Sequence, residues 1–349
     1  MSALKAKLQS GLLKVMLKLP ASIKVKMAGG KPLTIEGRTL DPNFQFLAHG
    51  AASQPPMSSF PAEVGRAASA AGLAMLADKP APGVSWSDFT IPGKQHHNIP
   101  VRLYRPENQD PKAPMMVYFH FGGGVIGDLE TCHVFCTMLA CVVRCPVLSV
   151  DYRLAPEHKH PAGLDDCLSA YEWALKHAGE HGAPSGRATI GGDSMGGYFS
   201  ALVCQRMKEE DKPLPDLQLL IYPATDLDTV YPSASTFGEA YPLSTDTMNW
   251  FIEQLLPTGT NRADPHVSPG LARELDGQPP AIVVTAGFDP LVDEGADYAR
   301  KLEEADVEVV YKCYDSLAHG FTAFTGPVPA ARDACYEIAG MVRDAYDRF

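Results

Sequence analysis

A serine between glycines occupies the segment GGDSMGG, residues 191–197, at the junction of a predicted strand and a predicted helix. Glycines permit a sharp strand-to-helix turn there, because larger side chains would collide with the neighbouring backbone. Such a turn exposes the hydroxyl of Ser194 at a helix N-terminus, which favours developing negative charge. A serine that merely caps a helix is a common alternative. The position between strand and helix favours Ser194 as a nucleophile.

A serine hydroxyl is a weak nucleophile and needs a base that a third group orients. His319, in the segment DSLAHGF, follows the last predicted strand, and Asp289 follows the predicted strand AIVVTAG. Two alternatives stay open: Asp289 only caps the next helix, with Asp293 or Glu294 as the acid, and His319 is one of eleven histidines. The chain order serine, acid, histidine and the positions at strand ends together predict a catalytic triad.

Three glycines at 122–124 follow the predicted strand MMVYFHF directly. Glycine lets backbone N–H groups approach a ligand, and acyl transfer needs such donors at the oxygen of the tetrahedral intermediate. A flexible glycine turn is the plain alternative, and a phosphate cradle is disfavoured because no G-K-[ST] follows. Together with the nucleophile, this loop predicts acyl-transfer chemistry.

The elements that must position these residues are apolar strands that alternate with helices. The predicted strands are VSWSDFTI, IPVRLYRP, MMVYFHF, PVLSVDY, RATIGG, LQLLIYP, AIVVTAG and VEVVYKCY. The predicted helices are TCHVFCTMLACVV, LDDCLSAYEWALKHA, a helix from about Ser194, LVDEGADYARKLEEA and the C-terminal segment from residue 329. This alternation predicts an α/β fold with about eight mostly parallel strands, flanked by helices on both faces.

Two regions fall outside this alternation. Residues 1–80 lack strand patterns and are predicted to be helix and loop, and residues 228–262 form a long insertion between two strands. Long insertions in compact domains are often lids or binding loops. Both regions are therefore predicted to form a helical cap over the sheet edge where open α/β sheets bind ligands. The catalytic domain would comprise residues 81–227 and 263–349.

The net charge and the apolar pattern of the sequence indicate whether nucleic acid or a membrane is a binding partner. The net charge of −11 disfavours nucleic acid, whose phosphates attract a basic face. No apolar run is long enough to span a bilayer. The N-terminal segment LKAKLQSGLLKVMLKLP combines apolar residues with four lysines, which is compatible with a membrane-surface helix. Packing against its own protein is the commoner case and is the expectation here.

Eight cysteines are present, and four of them, at positions 132, 136, 141 and 145, are close in sequence. Their spacing does not match paired CxxC metal knuckles, and apolar residues fill the gaps. Buried free thiols are therefore favoured over a metal site. With no signal peptide recognisable, the thiols predict a cytoplasmic location.

Four sequence blocks together resemble the hormone-sensitive-lipase-like family of α/β-hydrolases, which includes bacterial carboxylesterases. The blocks are YFHFGGGVIGD, DYRLAPEHKHPAGLDD, GGDSMGG, and GFDPLVDEG with LAHGF, and they span roughly residues 85–325. The resemblance implies an α/β-hydrolase fold and a triad of Ser194, Asp289 and His319. It implies small-molecule esters with short- or medium-chain acyl groups as substrates, and a mechanism that needs no cofactor or metal.

The resemblance also implies that the N–H groups of Gly122, Gly123 and Met195 donate to the oxyanion, and that Arg153 and Glu157 are structural. An amidase or lactone hydrolase would use the same triad. A ligand-binding, receptor-like member of the fold lacks the catalytic histidine, so the intact LAHGF segment disfavours that function. A homodimer is compatible with this type of sheet, because last strands of such sheets can pair.

Three residues depart from the family pattern. Phe121 stands where the family has the first glycine of H-G-G-G, Met195 replaces an alanine, and Tyr198 replaces an asparagine. All three are expected near the pocket, where they affect substrate preference rather than reaction type. Four aromatic residues of the insertion are further candidates for the pocket, with packing inside the cap as the alternative: Phe237, Tyr241, Trp250 and Phe251.

Overall fold

The computed structural model describes residues 11, 13, 15–94 and 97–348. Its strands are β1 (Thr34–Ile35), β2 (Arg38–Thr39), β3 (Val84–Pro92), β4 (Asn98–Pro106), β5 (Met115–Phe119), β6 (Val147–Val150), β7 (Ala188–Asp193), β8 (Gln218–Ile221), β9 (Ala281–Phe288) and β10 (Val309–Ala318). Strands β3 to β10 form one sheet in the order β10-β9-β8-β7-β5-β6-β4-β3. Strand β4 pairs antiparallel with β3 and β6, and the other pairs are parallel. The predicted eight-stranded, mostly parallel sheet is confirmed.

The central strands are covered on both faces. Every residue of β5 to β9 is buried. Along β5, Met116 and Tyr118 belong to the core on one face, and Met115, Val117 and Phe119 belong to the core on the other. This is the two-residue period of a strand. We call the two cores the Met116 face and the Met115 face.

The helices are α1 (Ala21–Met27), α2 (Pro42–Ala51), α3 (Ala62–Leu76), α4 (His133–Val143), α5 (Ala162–His177), α6 (Met195–Glu209), α7 (Pro232–Thr236), α8 (Thr245–Leu255), α9 (Val292–Glu304) and α10 (Pro329–Tyr346). Helices α4 and α10 bury their apolar residues on the Met116 face. Helices α5 and α6 do so on the Met115 face. The helices predicted between the strands are thus present, with ends within a few residues of those expected.

The N-terminal region contains the short hairpin of β1 and β2, so the expectation of helix and loop alone is wrong there. Each strand has two residues, and the turn uses Glu36 and Gly37, both with positive φ. Two residues per strand are too few to produce an alternating pattern in the sequence. Arg38 attaches the hairpin to the sheet by donating to the carbonyl of Gly287 at 3.2 Å and pairing with Asp315 at 3.2 Å.

The predicted basic helix at the N-terminus lies mostly outside the described residues. Of its described part, Leu13 and Leu17 pack on the Met116 face, whereas Val15 is exposed. No helix within the described ranges is long and apolar enough to cross a membrane. All eight cysteines are free thiols and six are buried, including three of the clustered four: Cys132, Cys136 and Cys145.

Candidate active site

Strand β7 and helix α6 meet at Ser194, whose backbone has φ 55° and ψ −115°. A positive φ is uncommon for a residue other than glycine and costs about 1–3 kcal/mol, so the surrounding packing must hold it. A Cβ on Gly192 would lie 2.4 Å from the carbonyl carbon of Gly196, and one on Gly196 would lie 1.9 Å from the carbonyl oxygen of Phe119. Only glycine fits on either side of the serine.

Side chains from three strand ends form a hydrogen-bonded row. His319 Nε2 lies 2.9 Å from Ser194 Oγ, and His319 Nδ1 lies 2.7 Å from Asp289 Oδ2. All three residues are buried. A carboxylate can only accept, so Nδ1 carries the ring hydrogen and Nε2 is free to accept the proton of the serine. The row therefore has the geometry of a nucleophile, a base and an orienting acid.

Asp289 also bonds the backbone just before helix α9, which begins at Val292 and has no side-chain cap among the described residues. Its Oδ1 accepts from the N–H of Leu291 at 2.9 Å, while Oδ2 faces His319. Asp293 accepts a hydrogen bond from the backbone of the insertion instead, and Glu294 accepts one from the loop after β8. The carboxylate bonded to the histidine is that of Asp289.

The glycine run after β5 is a tight turn in which all three residues have positive φ. The carbonyl of Gly122 accepts from the N–H groups of Val125 and Ile126, at 3.0 and 2.9 Å. A Cβ on Gly122 would lie 2.1 Å from the carbonyl oxygen of Ile126, and one on Gly123 would lie 2.2 Å from Cγ of Phe251. Both positions require glycine for conformation and for space.

The three residues whose N–H groups are the predicted oxyanion donors, Gly122, Gly123 and Met195, line the same pocket as Ser194. Within the described residues, neither glycine N–H has an acceptor. Met195 begins α6, so its N–H is one of those that a helix leaves unpaired at its start. Unpaired donors beside a nucleophile are what a developing oxyanion requires. Their donation to a substrate stays a prediction.

His120 is a residue of the glycine loop for which the sequence motif suggested no role. Its ring is fully buried, and burial lowers the pKa of His120 to about 4. Nδ1 lies 2.7 Å from the carbonyl oxygen of Phe121, which can only accept, so Nδ1 donates. The same planar trans peptide unit carries the N–H of Gly122 on its opposite side. By holding the carbonyl, His120 orients a predicted oxyanion donor.

Asp193 is a second residue that the sequence did not single out. Its buried carboxylate accepts hydrogen bonds from Thr322 Oγ1 at 2.6 Å and Tyr222 OH at 3.0 Å, with Cys132 Sγ at 3.4 Å. Burial raises the pKa of the Asp193 carboxyl, although these hydrogen bonds act in the opposite direction. Because Thr322 lies three residues after His319, this network joins the serine turn to the histidine loop.

A pocket of about 980 Å³ contains Ser194 and His319. Its walls come from the segment before β3, from the insertion after β8 and from the loop after β10. Of the residues predicted to bind substrate, Phe121, Tyr241 and Phe251 line this pocket. Their contact with a substrate stays a prediction.

Three other residues predicted for the pocket lie elsewhere. Tyr198 is fully buried in the core of the Met115 face, and Phe237 packs in the core against Phe288 of β9. The ring of Trp250 turns toward α3, where it lies 3.8 Å from the place of a Cβ on Gly65. Successive residues of a helix point about 100° apart, so only Phe251 of this aromatic pair takes the direction of the pocket.

Arg66 fastens α3 to the glycine loop. Its Nε donates to the carbonyl of Val125 at 2.7 Å, and its Nη2 donates to the carbonyl of Ala155 at 2.6 Å. The guanidinium also pairs with Glu157, with Nη1 2.9 Å from Oε1, and this pair lowers the pKa of Glu157 to about 2. Glu157 is therefore part of the attachment of the N-terminal region to the sheet.

The sequence profile of a family described as alpha/beta hydrolase fold matches residues 116–323, a range that includes Ser194, Asp289 and His319. A curated relative, the carboxylic ester hydrolase LipN of Mycobacterium tuberculosis, is 38% identical over 317 residues, 88% of this chain and 84% of LipN. The ethyl acetate hydrolase of Pseudomonas putida is 34% identical over 76% of this chain and 85% of its own length.

Solved structures agree with these matches. An ester hydrolase from the metagenome of Lake Arreo superposes with a TM-score of 0.83 at 37% identity, covering 87% of this chain and 98% of that one. A hyperthermophilic esterase from Pyrobaculum calidifontis superposes with a TM-score of 0.81 at 33% identity, covering 87% and 98%. The chain therefore belongs to the hormone-sensitive-lipase-like family of α/β-hydrolases.

Proposed function

We propose that this protein is a serine carboxylesterase that hydrolyses small esters with short- or medium-chain acyl groups. The observation that carries the proposal is the row of hydrogen bonds from Ser194 through His319 to Asp289, at 2.9 and 2.7 Å, inside the large pocket. The names of the relatives, carboxylic ester hydrolase and ethyl acetate hydrolase, support the same reaction.

In the acylation half, Ser194 Oγ attacks the ester carbonyl carbon while His319 Nε2 takes the hydroxyl proton. The carbonyl oxygen becomes an oxyanion that accepts from the N–H groups of Gly122, Gly123 and Met195. When the tetrahedral intermediate collapses, the bond to the alcohol oxygen breaks, and that oxygen takes the proton from Nε2. An alcohol leaves and an acyl-enzyme remains.

In the deacylation half, water takes the place of the alcohol. His319 Nε2 removes a proton from the water as its oxygen attacks the acyl carbon, and the second tetrahedral intermediate uses the same oxyanion donors. Its collapse breaks the bond to Ser194 Oγ, which recovers the proton from Nε2, and the carboxylic acid leaves. Asp289 holds the ring in place and stabilises the imidazolium in both halves. These steps require no metal and no cofactor.

The test is Ser194→Ala, with Ser69→Ala as a matched control because Ser69 also lines the pocket. Loss of a triad nucleophile costs on the order of 10⁶ in kcat, so the first variant should be inactive on 4-nitrophenyl esters and the control should retain activity. After treatment with a phosphonate ester, intact-protein mass spectrometry should detect the phosphonate adduct on the wild type and not on Ser194→Ala. A folded Ala variant within tenfold of wild-type activity would contradict the mechanism.

An amidase or a lactone hydrolase would use the same triad. A panel of 4-nitrophenyl esters, the matching anilides and simple lactones distinguishes these activities from ester hydrolysis. Higher kcat/KM on esters is the expected result. The receptor-like alternative is disfavoured because His319 is within hydrogen-bonding distance of Ser194. Equal and negligible turnover of all three substrate classes would favour that alternative.

We infer a homodimer that pairs through β10. This strand is at the end of the sheet order, and Val310 and Tyr311 on it are exposed, as an edge that receives a second strand requires. Light scattering after size-exclusion chromatography should give twice the chain mass, and Val310→Lys should lower it to one. A monomeric wild type would refute the pairing. The cytoplasmic location stays a prediction.

A further inference from the structure

The walls of the pocket belong to two different cores. Residues packed on the Met116 face form what we call the histidine wall: Leu76, Phe121, Tyr241 and Phe324. Residues packed on the Met115 face form what we call the serine wall: Met57, Met195, Phe251 and Ile252. Phe324 lies in the turn that follows His319, and Met195 follows Ser194. The pocket therefore extends to both sides of the reacting groups.

The chemistry assigns a different half of the ester to each side. The alcohol oxygen must take its proton from His319 Nε2, so it lies on the side of the histidine loop when it leaves. The carbonyl oxygen must face the N–H groups of Gly123 and Met195. With the alcohol on the histidine side, the serine wall is the side left for the remaining substituent of the carbonyl carbon, the acyl chain. The histidine wall accordingly borders the alcohol.

Helix α3 crosses the pocket from one wall to the other. At its start, a Cβ on Gly65 would lie 3.4 Å from Met57 of the serine wall. At its end, the carbonyl oxygen of Leu76 lies 2.6 Å from the place of a Cβ on Gly326, just after the turn containing Phe324. Gly72 is one helical turn before Leu76, about 6 Å along the axis, and so lies at the histidine end of α3.

Six residues of α3 line the pocket, and four of them are small, namely Gly65, Ala68, Ser69 and Gly72; the other two are Leu73 and Leu76. Gly72 differs from the other glycines of the site, because a Cβ placed on it meets no atom within 4 Å. Its φ is not positive, so a larger residue fits its backbone without strain. A side chain added there would extend into open pocket.

We propose that Gly72 determines the size of the alcohol that the pocket accepts, and that the protein acts on esters of bulky aryl or branched alcohols. This inference rests on the proposed acyl-enzyme mechanism. A leucine at position 72 would occupy the space beside the histidine wall and leave the serine wall unchanged. It would therefore act on the alcohol half of the substrate and not on the acyl half.

The experiment compares Gly72→Leu with Ala71→Leu, whose exposed position on α3 lies outside the pocket lining. For 1-naphthyl butyrate, kcat/KM of Gly72→Leu should fall at least about tenfold, the scale at which a pocket discriminates by a few carbon atoms. For methyl butyrate it should fall less than about threefold. The Ala71→Leu variant should change neither value by more than about twofold.

A second readout uses the acyl-enzyme, which no longer contains the alcohol. The deacylation rate of the butyryl-enzyme should stay within about twofold in Gly72→Leu, and the relative rates over 4-nitrophenyl acetate to octanoate should keep the wild-type order. When benzyl alcohol and methanol compete with water for the acyl-enzyme, the variant should form less benzyl ester relative to methyl ester. Gly72→Ala, which improves helix propensity, should show the same shift more weakly.

The outcomes separate this inference from the mechanism beneath it. Slower deacylation, a preference for shorter acyl chains, or unchanged discrimination between naphthyl and methyl esters in a folded Gly72→Leu variant would overturn the role of Gly72. If the wild type shows no rapid first release of the alcohol product and forms no acyl adduct on Ser194, the acyl-enzyme mechanism itself would be overturned. Both tests use the full chain.

Discussion

The contact between Gly123 and the ring of Phe251 gives a direct test of the oxyanion loop. A Cβ on Gly123 would lie 2.2 Å from Cγ and 2.4 Å from Cδ1 of Phe251, whereas ordinary contact begins at 3.4 Å. Gly123→Ala therefore forces the loop or the ring to move by more than about 1 Å, and a displacement of that size can cost about 10² in rate.

The effect of Gly123→Ala has two contributions, one on stability and one on kcat. Gly123 has φ 63°, and an alanine in this left-handed conformation costs about 1 kcal/mol relative to glycine. That cost affects stability more than turnover. Displacing the N–H from the oxyanion removes about 2.7–4 kcal/mol of transition-state stabilisation, or 10²–10³ in kcat. We expect kcat to fall by about 10² in Gly123→Ala.

The assay is a double-mutant cycle on 4-nitrophenyl acetate with Gly123→Ala, Phe251→Ala and the double variant. Removing the ring gives the new methyl group space, so the double variant should recover at least about tenfold of the lost kcat, a coupling of about 1.4 kcal/mol. Gly124→Ala is the control. It has a similar φ of 69°, but its Cβ would meet the flexible end of Leu255 at 2.9 Å and, at an ordinary contact distance of 3.7 Å, Cγ of Met195.

Three results would refute the reasoning. A folded Gly123→Ala with wild-type kcat would show that this N–H does not bind the oxyanion. A double variant as slow as Gly123→Ala would show that backbone strain, and not the ring, displaces the loop. An equal loss of kcat in Gly124→Ala would show that any side chain in this loop is damaging.

Further predictions concern the surroundings of the site. Phe121→Gly should keep kcat within about tenfold and change acyl preference or Tm, because its own N–H is not a predicted donor. Arg66→Met should lower the free energy of unfolding by about 2 kcal/mol, mainly through the lost bonds to carbonyls, because the exposed pair with Glu157 adds little. Wild type should lose about 2 kcal/mol of its free energy of unfolding through His120 when the pH falls from 7.5 to 5, because histidine in the unfolded chain binds a proton in this range and buried His120, with a pKa of about 4, does not. The variant His120→Asn cannot bind this proton, so its free energy of unfolding should fall by about 2 kcal/mol less.

Each of these predictions has its own check. If Phe121→Gly lowers kcat more than Gly123→Ala, the donors must be reassigned by one residue. Arg300→Met, which removes an exposed intrahelical pair, is the control for Arg66→Met and should change the free energy of unfolding by less than about 0.5 kcal/mol. If urea unfolding gives the same change in the free energy of unfolding between the two pH values for wild type and His120→Asn, the low pKa of His120 is contradicted.

The central sheet and the proximity of Ser194, Asp289 and His319 were predictable because both depend on short-range patterns. Apolar strands alternating with helices determine a parallel sheet, and the ends of parallel strands meet at one edge. A serine turn after β7, a carboxylate after β9 and a histidine after β10 therefore had to lie near one another. Asp289 was predicted as the acid from its position and from the family resemblance, with Asp293 and Glu294 as alternatives within six residues, and only the coordinates show that Asp289 is the one bonded to His319.

The pocket residues were harder to predict because side-chain direction depends on tertiary packing. Trp250 and Phe251 are adjacent and equally apolar, and only the contact of α8 with α3 decides which one faces the pocket. Tyr198 lies near the nucleophile in sequence, yet its position on α6 turns it into the core. Asp193 acts through hydrogen bonds to distant segments, and His120 acts on the carbonyl of the next residue, so a motif alone suggests neither role.

Helix α3 and the glycine turn after β5 are joined by hydrogen bonds in this structure. Arg66 of α3 holds the carbonyl of Val125, and the N–H of Val125 donates to the carbonyl of Gly122. A displacement of α3 would therefore reach the turn that contains the predicted donors, Gly122 and Gly123, through one hydrogen-bonded residue. The same helix places Gly72 in the alcohol side of the pocket. A substrate that pushes α3 outward would then lose oxyanion stabilisation as well as contact area, so discrimination against oversized alcohols should lower kcat and not only raise KM.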